Sequence, residues 1–248
     1  MRYFAELAYN GAAYHGWQRQ PDQLGVQQVI EETLSLILRQ PLEVTGCGRT
    51  DTGVHAGQYF LHFDFEGDFP KNFLRRLNKV LPPDIAFLRI FEVPAEAHAR
   101  FDATHRSYAY YLIFQKNPFR QHTAYLYPYL HRPDIDRMQA AAALLLRYDE
   151  FYTFCRSNTD AHTMRCDLSR SEWEVIDEHQ LVFHISSDRF LRGMVRLIVG
   201  MCLNVGTGKL SLDAVKKALD DQAILNKAES APPAGLFLNK VEYEKLGI

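Results

Sequence analysis

The residues best suited to chemistry lie in one short stretch, Gly46-Cys47-Gly48-Arg49-Thr50-Asp51-Thr52-Gly53-Val54-His55-Ala56. It falls between two strand-like segments, so it reads as a loop that presents side chains over a sheet. Its glycines permit tight backbone paths and close approach of a ligand. Asp51 stands two residues from Arg49, and a neighbouring cation would hold its carboxylate ionised and oriented. Thr50 and Thr52 can hydrogen-bond local backbone and stiffen the turn. An ionised carboxylate so placed could act as a nucleophile or abstract a proton. The residue types alone fit an ordinary Asx-turn between strands as well.

Other chemistries fit less well. Asp51-Thr52-Gly53 is the tripeptide of aspartic proteases, whose two such loops share one proton. No second Asp-Thr/Ser-Gly occurs in the chain, and a cation beside the acid works against a shared proton. Gly206-Thr207-Gly208-Lys209-Leu210 has the look of a phosphate loop. However, the first required glycine falls at Leu203 and the required hydroxyl residue at Leu210. The ten histidines show no paired metal spacing, and His55 and His62 read as structural. The four cysteines (Cys47, Cys155, Cys166, Cys202) are scattered and form no Cys-x-x-Cys pair. Neither a zinc site nor a disulfide framework is expected, and a reducing compartment fits best.

The elements that must position this loop follow from periodicity. Residues 2–9 alternate as a strand. Val26, Val29, Ile30, Thr33, Leu34, Ile37 and Leu38 share a helical face over 25–39. Strands are predicted at 43–48 and 58–65, a helix at 70–80 and a strand at 85–93. The second part reads as a strand at 106–114 and a helix from Pro133-Asp134 through the Ala140–Leu146 block. Strands at 169–176 and 181–187 follow, then a helix over 190–204 and another N-capped by Ser211. A last strand covers 236–242. The expected class is α+β. Two tandem ferredoxin-like βαββαβ halves, 1–105 and 106–248, would share an extended antiparallel sheet with helices packed on one side.

Charge is nearly balanced, with 28 basic against 30 acidic residues. That excludes a uniformly cationic coat but not a local basic groove. Of the cations 19 are Arg and 9 are Lys; the planar guanidinium grips phosphate and stacks on bases, a mild indication of RNA contact. Genome composition explains the same bias equally well. Arg192 and Arg196 interrupt the most apolar helix candidate, so no membrane span is expected, and a soluble cytoplasmic protein is. These two arginines stand four apart on one helical face. A carboxylate such as Asp51, or RNA phosphate, would relieve the cost of Arg196 among Val195, Leu197 and Ile198; the alternative is that both face solvent.

Gly48-Arg49-Thr50-Asp51-Thr52-Gly53-Val54-His55-Ala56 closely resembles the signature of TruA-type tRNA pseudouridine synthases. Tyr14-His15-Gly16-Trp17-Gln18-Arg19-Gln20 resembles that family's N-terminal loop. Ala99-Arg100-Phe101-Asp102-Ala103-Thr104 with Arg106-Ser107-Tyr108-Ala109-Tyr110 resembles its second motif. Phe190-Leu191-Arg192-Gly193-Met194-Val195-Arg196 through Gly200, and Ala231-Pro232-Pro233-Ala234-Gly235-Leu236, resemble two more. The resemblance implies that Asp51 is the nucleophile, that Tyr108 packs on the target base and that Arg196 pairs with the catalytic carboxylate. It implies further that Arg49 places the nucleotide and that Leu236 lines the pocket. Also implied are a tRNA substrate, modified at uridines 38 to 40 of the anticodon arm, and a homodimer without cofactor or metal. The competing interpretation is a non-catalytic RNA-binding module of two ferredoxin-like units, which needs stacking aromatics but no Asp51 loop.

Overall fold

The computed structural model describes residues 1–155, 163–225 and 229–248. In chain order its main elements are β1 (Arg2–Tyr9), α1 (Val26–Leu38), β2 (Thr45–Gly46), β3 (His55–Asp64), α2 (Phe73–Val80) and β4 (Ile85–Val93). These are followed by β5 (His105–Ile113), β6 (Tyr125–Leu126), α3 (Ile135–Leu144), β7 (Leu168–Asp177) and β8 (Gln180–Ser187). The last are α4 (Met194–Gly206), α5 (Leu212–Asp220) and β9 (Leu236–Glu242). The chain forms two compact units, Met1–Thr104 with Phe237–Ile248, and His105–Leu236. The sequence assigns everything after residue 105 to a second half. Residues 237–248 instead lie with the first unit, because β9 pairs with β3.

In the first unit β1 lies between β4 and β3, with β2 beside β3. These pairings are antiparallel, but β3 and β9 run parallel, with His55 opposite Phe237 and Ala56 opposite Leu238. The sheet is therefore mixed, not purely antiparallel. Strand β3 is central, and its Tyr59, Phe60, Leu61, His62 and Phe63 are all buried. Alternation alone would leave one set exposed; here both faces are covered. On one face Phe63 meets Tyr3 and Phe69, and Phe69 stacks on Phe73 of α2. On the other, Tyr243 meets Phe4 and Phe60 edge-on. Helix α2 packs against α1 and β4.

In the second unit β8 lies between β5 and β7 in antiparallel register, Tyr108 opposite Ile185 and Phe183 opposite Trp173. Strand β6 adds to β5 in parallel, an element too short for periodicity to show. Helix α4 is apolar almost all round and accordingly buried, from Met194 through Ile198, Val199 and Cys202 to Val205. It begins at Met194 and not at residue 190, because Gly193 at φ 72 precedes it. Arg192 thus lies before the helix, exposed, and shares no helical face with Arg196. Helix α3 is capped by Asp134 and α5 by Ser211, each side-chain oxygen accepting a backbone N–H of the first turn. Among the described residues no helix is long and apolar enough to cross a membrane.

His62 and His55 have structural tasks. Nδ1 of His62 accepts the Ala99 N–H at 3.1 Å, and its ring meets His98 edge-on. Burial, then the charges of Arg2 and His98, lower the His62 pKa to about 4. Below the ordinary histidine pKa the unfolded chain takes up this proton while the native one refuses it. Stability is therefore complete above about pH 6.5 and falls progressively as pH drops toward 4, by a total on the order of 3 kcal/mol. Urea unfolding across that range should show a weaker pH dependence in His62→Gln than in wild type; an identical slope would exclude His62 as the source.

Candidate active site

The Asp51 loop rests on three aromatic side chains of the first unit. Trp17 stacks on Tyr59 with ring centroids 4.1 Å apart, and Tyr9 meets Tyr59 edge-on at 5.5 Å. All three are buried, so the two phenolic hydroxyls need partners within the protein. Both find them on the loop. The Tyr59 hydroxyl donates to the Gly48 carbonyl at 2.6 Å, and the hydroxyls of Tyr9 and Thr50 share a hydrogen bond of 2.9 Å. Burial pushes the Tyr59 phenol well above its usual pKa, keeping it a donor.

Backbone contacts complete the clamp. The Trp17 N–H donates to the Thr50 carbonyl at 3.2 Å, and the Gly53 N–H to the Tyr14 carbonyl at 3.2 Å. Within the loop the Val54 N–H donates to the Asp51 carbonyl at 3.1 Å, closing a tight turn. His55, fully buried, accepts the Gly11 N–H on Nδ1 and stacks on Phe237 at 4.4 Å. The loop's rigidity thus comes from residues of the N-terminal segment. Thr50 is bonded to Tyr9 and does not stiffen the turn through local backbone as the sequence suggests.

Asp51 is partly accessible at the crest of this loop, between buried Thr50 and exposed Thr52. Arg49 is exposed and forms no ion pair with Asp51, contrary to the expectation from their spacing. Its guanidinium is left to solvent or to a ligand. Among the described residues no group of three or more His, Cys, Asp or Glu could hold a metal ion.

The remaining sequence-marked residues belong to the second unit. Tyr108 on β5 is half-buried and meets Phe190 edge-on at 5.1 Å. Of its neighbours, Tyr110 is the core member, its hydroxyl donating to the Pro232 carbonyl at 2.9 Å. Arg196 on α4 is half-buried; its Nε donates to the Ala231 carbonyl at 2.7 Å, while the Ala231 N–H donates to the Arg196 carbonyl at 3.0 Å. That excludes the alternative in which Arg196 simply faces solvent. The segment Ala231–Pro232 thus ties β5 to α4, and the turn Pro233–Gly235 delivers the buried Leu236 at the start of β9.

A sequence model described as tRNA pseudouridine synthase matches residues 141–244. A protein of Bacteroides fragilis named tRNA pseudouridine synthase A is 45% identical over 98% of this chain and 96% of its own length. The chain belongs to the tRNA pseudouridine synthase family. A Porphyromonas gingivalis protein of the same name is also 45% identical, covering 98% of this chain and 97% of its own. One from Listeria monocytogenes is 36% identical over 98% and 99%. Membership makes the chain an isomerase of the pseudouridine synthase kind.

Tyr9, Trp17 and Tyr59 read in the sequence as strand and loop aromatics, and nothing in their spacing ties them to Asp51. The signal available was Gly16 beside Trp17. Gly16 has φ 85, and a Cβ there would lie 2.4 Å from the Thr50 carbonyl oxygen. Gly16→Ala should therefore destabilise the protein by roughly 2 kcal/mol or more in denaturant unfolding. Gly48→Ala, where a Cβ meets nothing within 4 Å, should stay within about 0.5 kcal/mol of wild type. Equal effects at the two positions would show that the close packing at Gly16 does not hold the loop.

Proposed function

We propose that this chain converts uridine to pseudouridine at positions 38 to 40 of the tRNA anticodon arm, with Asp51 as nucleophile. In the isomerisation the C1′–N1 bond breaks, the uracil turns, and C1′ bonds to C5. The C5 proton is lost and N1 gains one, so atoms and electrons balance without a redox partner. A carboxylate held at the crest of a rigid loop suits attack on the nucleoside once the base is extruded from its stack. The single observation that carries this reading is the clamped loop itself: Asp51 stays accessible while its neighbours are fixed to Tyr9, Trp17 and Tyr59.

The roles of the other residues follow the family resemblance. Tyr108 supports the extruded base, an aromatic face being suited to any pyrimidine. Arg196 supplies the counter-charge of the catalytic carboxylate, Arg49 positions the nucleotide, and Leu236 forms an apolar wall. Exposure of the unpaired Arg49 guanidinium supports its part. The order β4, β1, β3, β2 in the first unit supports treating its βαββαβ run as a ferredoxin-like half, with a second such half following. A homodimer in the cytoplasm, working without cofactor or metal, completes the proposal.

Asp51→Asn keeps size and shape but removes charge and nucleophilicity. Pseudouridine formation in an unmodified tRNA transcript, mapped at base resolution under single-turnover conditions, should fall below detection in this variant. Affinity for tRNA in a parallel titration should change little, because a carboxylate repels phosphate. Equal rates in variant and wild type would remove Asp51 from the chemistry. Wild-type binding without any pseudouridine would favour the binding-module interpretation.

A further inference from the structure

We propose that the exposed face of α2 is a second docking surface for the substrate tRNA, gripping its phosphate backbone; this rests on the tRNA reading above. Residues 69–83 carry four cations, Lys71, Arg75, Arg76 and Lys79, and no acid, in a chain whose formal net charge is −2. The apolar side of α2 is buried through Phe73 and Leu77, and all four cations are exposed. Among the described residues none of the four forms an ion pair or a side-chain hydrogen bond. Several cations elsewhere are matched: Arg2 with Asp64, Arg19 with Glu31, Arg89 with Glu6, Lys217 with Asp221, Lys240 with Glu242.

The placement works against the isolated protein. Asn72 is the N-cap of α2, so Arg75 and Arg76 sit in its first turn, at the positive end of the helix dipole, without an acid there. Arg75 and Lys79 are one turn apart, a like-charge pair that disfavours the helix. An anion lying along this face reverses both effects. It must be extended and multiply charged, since the cations recur over about 6 Å per four residues of helix. An RNA backbone has that form, and it releases counterions on binding.

The test uses the full chain with Lys71, Arg75, Arg76 and Lys79 all replaced by Gln, and unmodified tRNA transcript in filter binding. At about 0.1 M salt the Kd should rise tenfold or more, and the slope of log affinity against log salt should shrink by about 3. Turnover at saturating tRNA should stay within about twofold, because none of the four belongs to the catalytic loop. Arg75→Lys with Arg76→Lys, which keeps the charge, should retain the wild-type slope. An unchanged slope in the Gln variant overturns the surface while leaving the catalytic proposal intact. Wild-type binding with the expected slope loss but no pseudouridine overturns catalysis and keeps the surface. Absence of wild-type tRNA binding overturns both. Vesicles of equal parts phosphatidylserine and phosphatidylcholine that bind wild type but not the variant, with tRNA affinity unaffected, would reassign the face to a membrane.

Discussion

A buried hydroxyl must be hydrogen-bonded, and much of the first unit follows from satisfying two of them. Tyr9 comes from β1, Tyr59 from β3, and Trp17 fills the space beside both. With water excluded, the Tyr59 phenol is satisfied by the Gly48 carbonyl and the Tyr9 phenol shares a hydrogen bond with the Thr50 hydroxyl. Losing either partner would strand a polar group at a cost of about 1–3 kcal/mol, so loop and platform select each other's position. Two strands and the N-terminal segment thereby converge on one short loop, and the accessible carboxylate at its crest inherits their rigidity. The sheet provides this constraint before any substrate arrives.

The secondary elements were largely legible because most are amphipathic or carry ordinary caps. Ser211 and the apolar row of α1 are clear examples. What escaped depended on distant partners. β2 is only two residues long because the chain turns at once into the Asp51 loop. The start of α4 shifted to Met194 because a glycine at positive φ ends the preceding turn. Asp51 was legible through its motif, but its supports were not, since Tyr9, Trp17 and Tyr59 lie far apart in the chain. The expected Arg49–Asp51 pair failed for a related reason: neighbours in sequence on an irregular loop need not point at each other.

Charge in this protein is organised by location more than by amount. Most matched pairs are exposed ones of modest energetic value, such as Arg170 with Glu172 or Lys217 with Asp221. Their effect is to neutralise the surface locally, so the field is set by where unmatched cations cluster. A balanced total is therefore compatible with a polyanionic substrate.

The pairing of β9 with β3 has a consequence for how the protein comes into being. Phe237 stacks on His55, and Tyr243 is wholly buried against Phe4 and Phe60, its hydroxyl bonded to the Ala99 carbonyl. Until residues 237–248 arrive, the first unit therefore has an open edge at β3 and an uncovered aromatic face. On the ribosome the whole of the second unit must be synthesised before that happens. A nascent chain that has already emitted Asp51 still lacks the strand that closes the sheet beside His55. Completion of the first unit thus waits for residues 237–248, and a partly made chain carries the Asp51 loop without the strand that packs beside it.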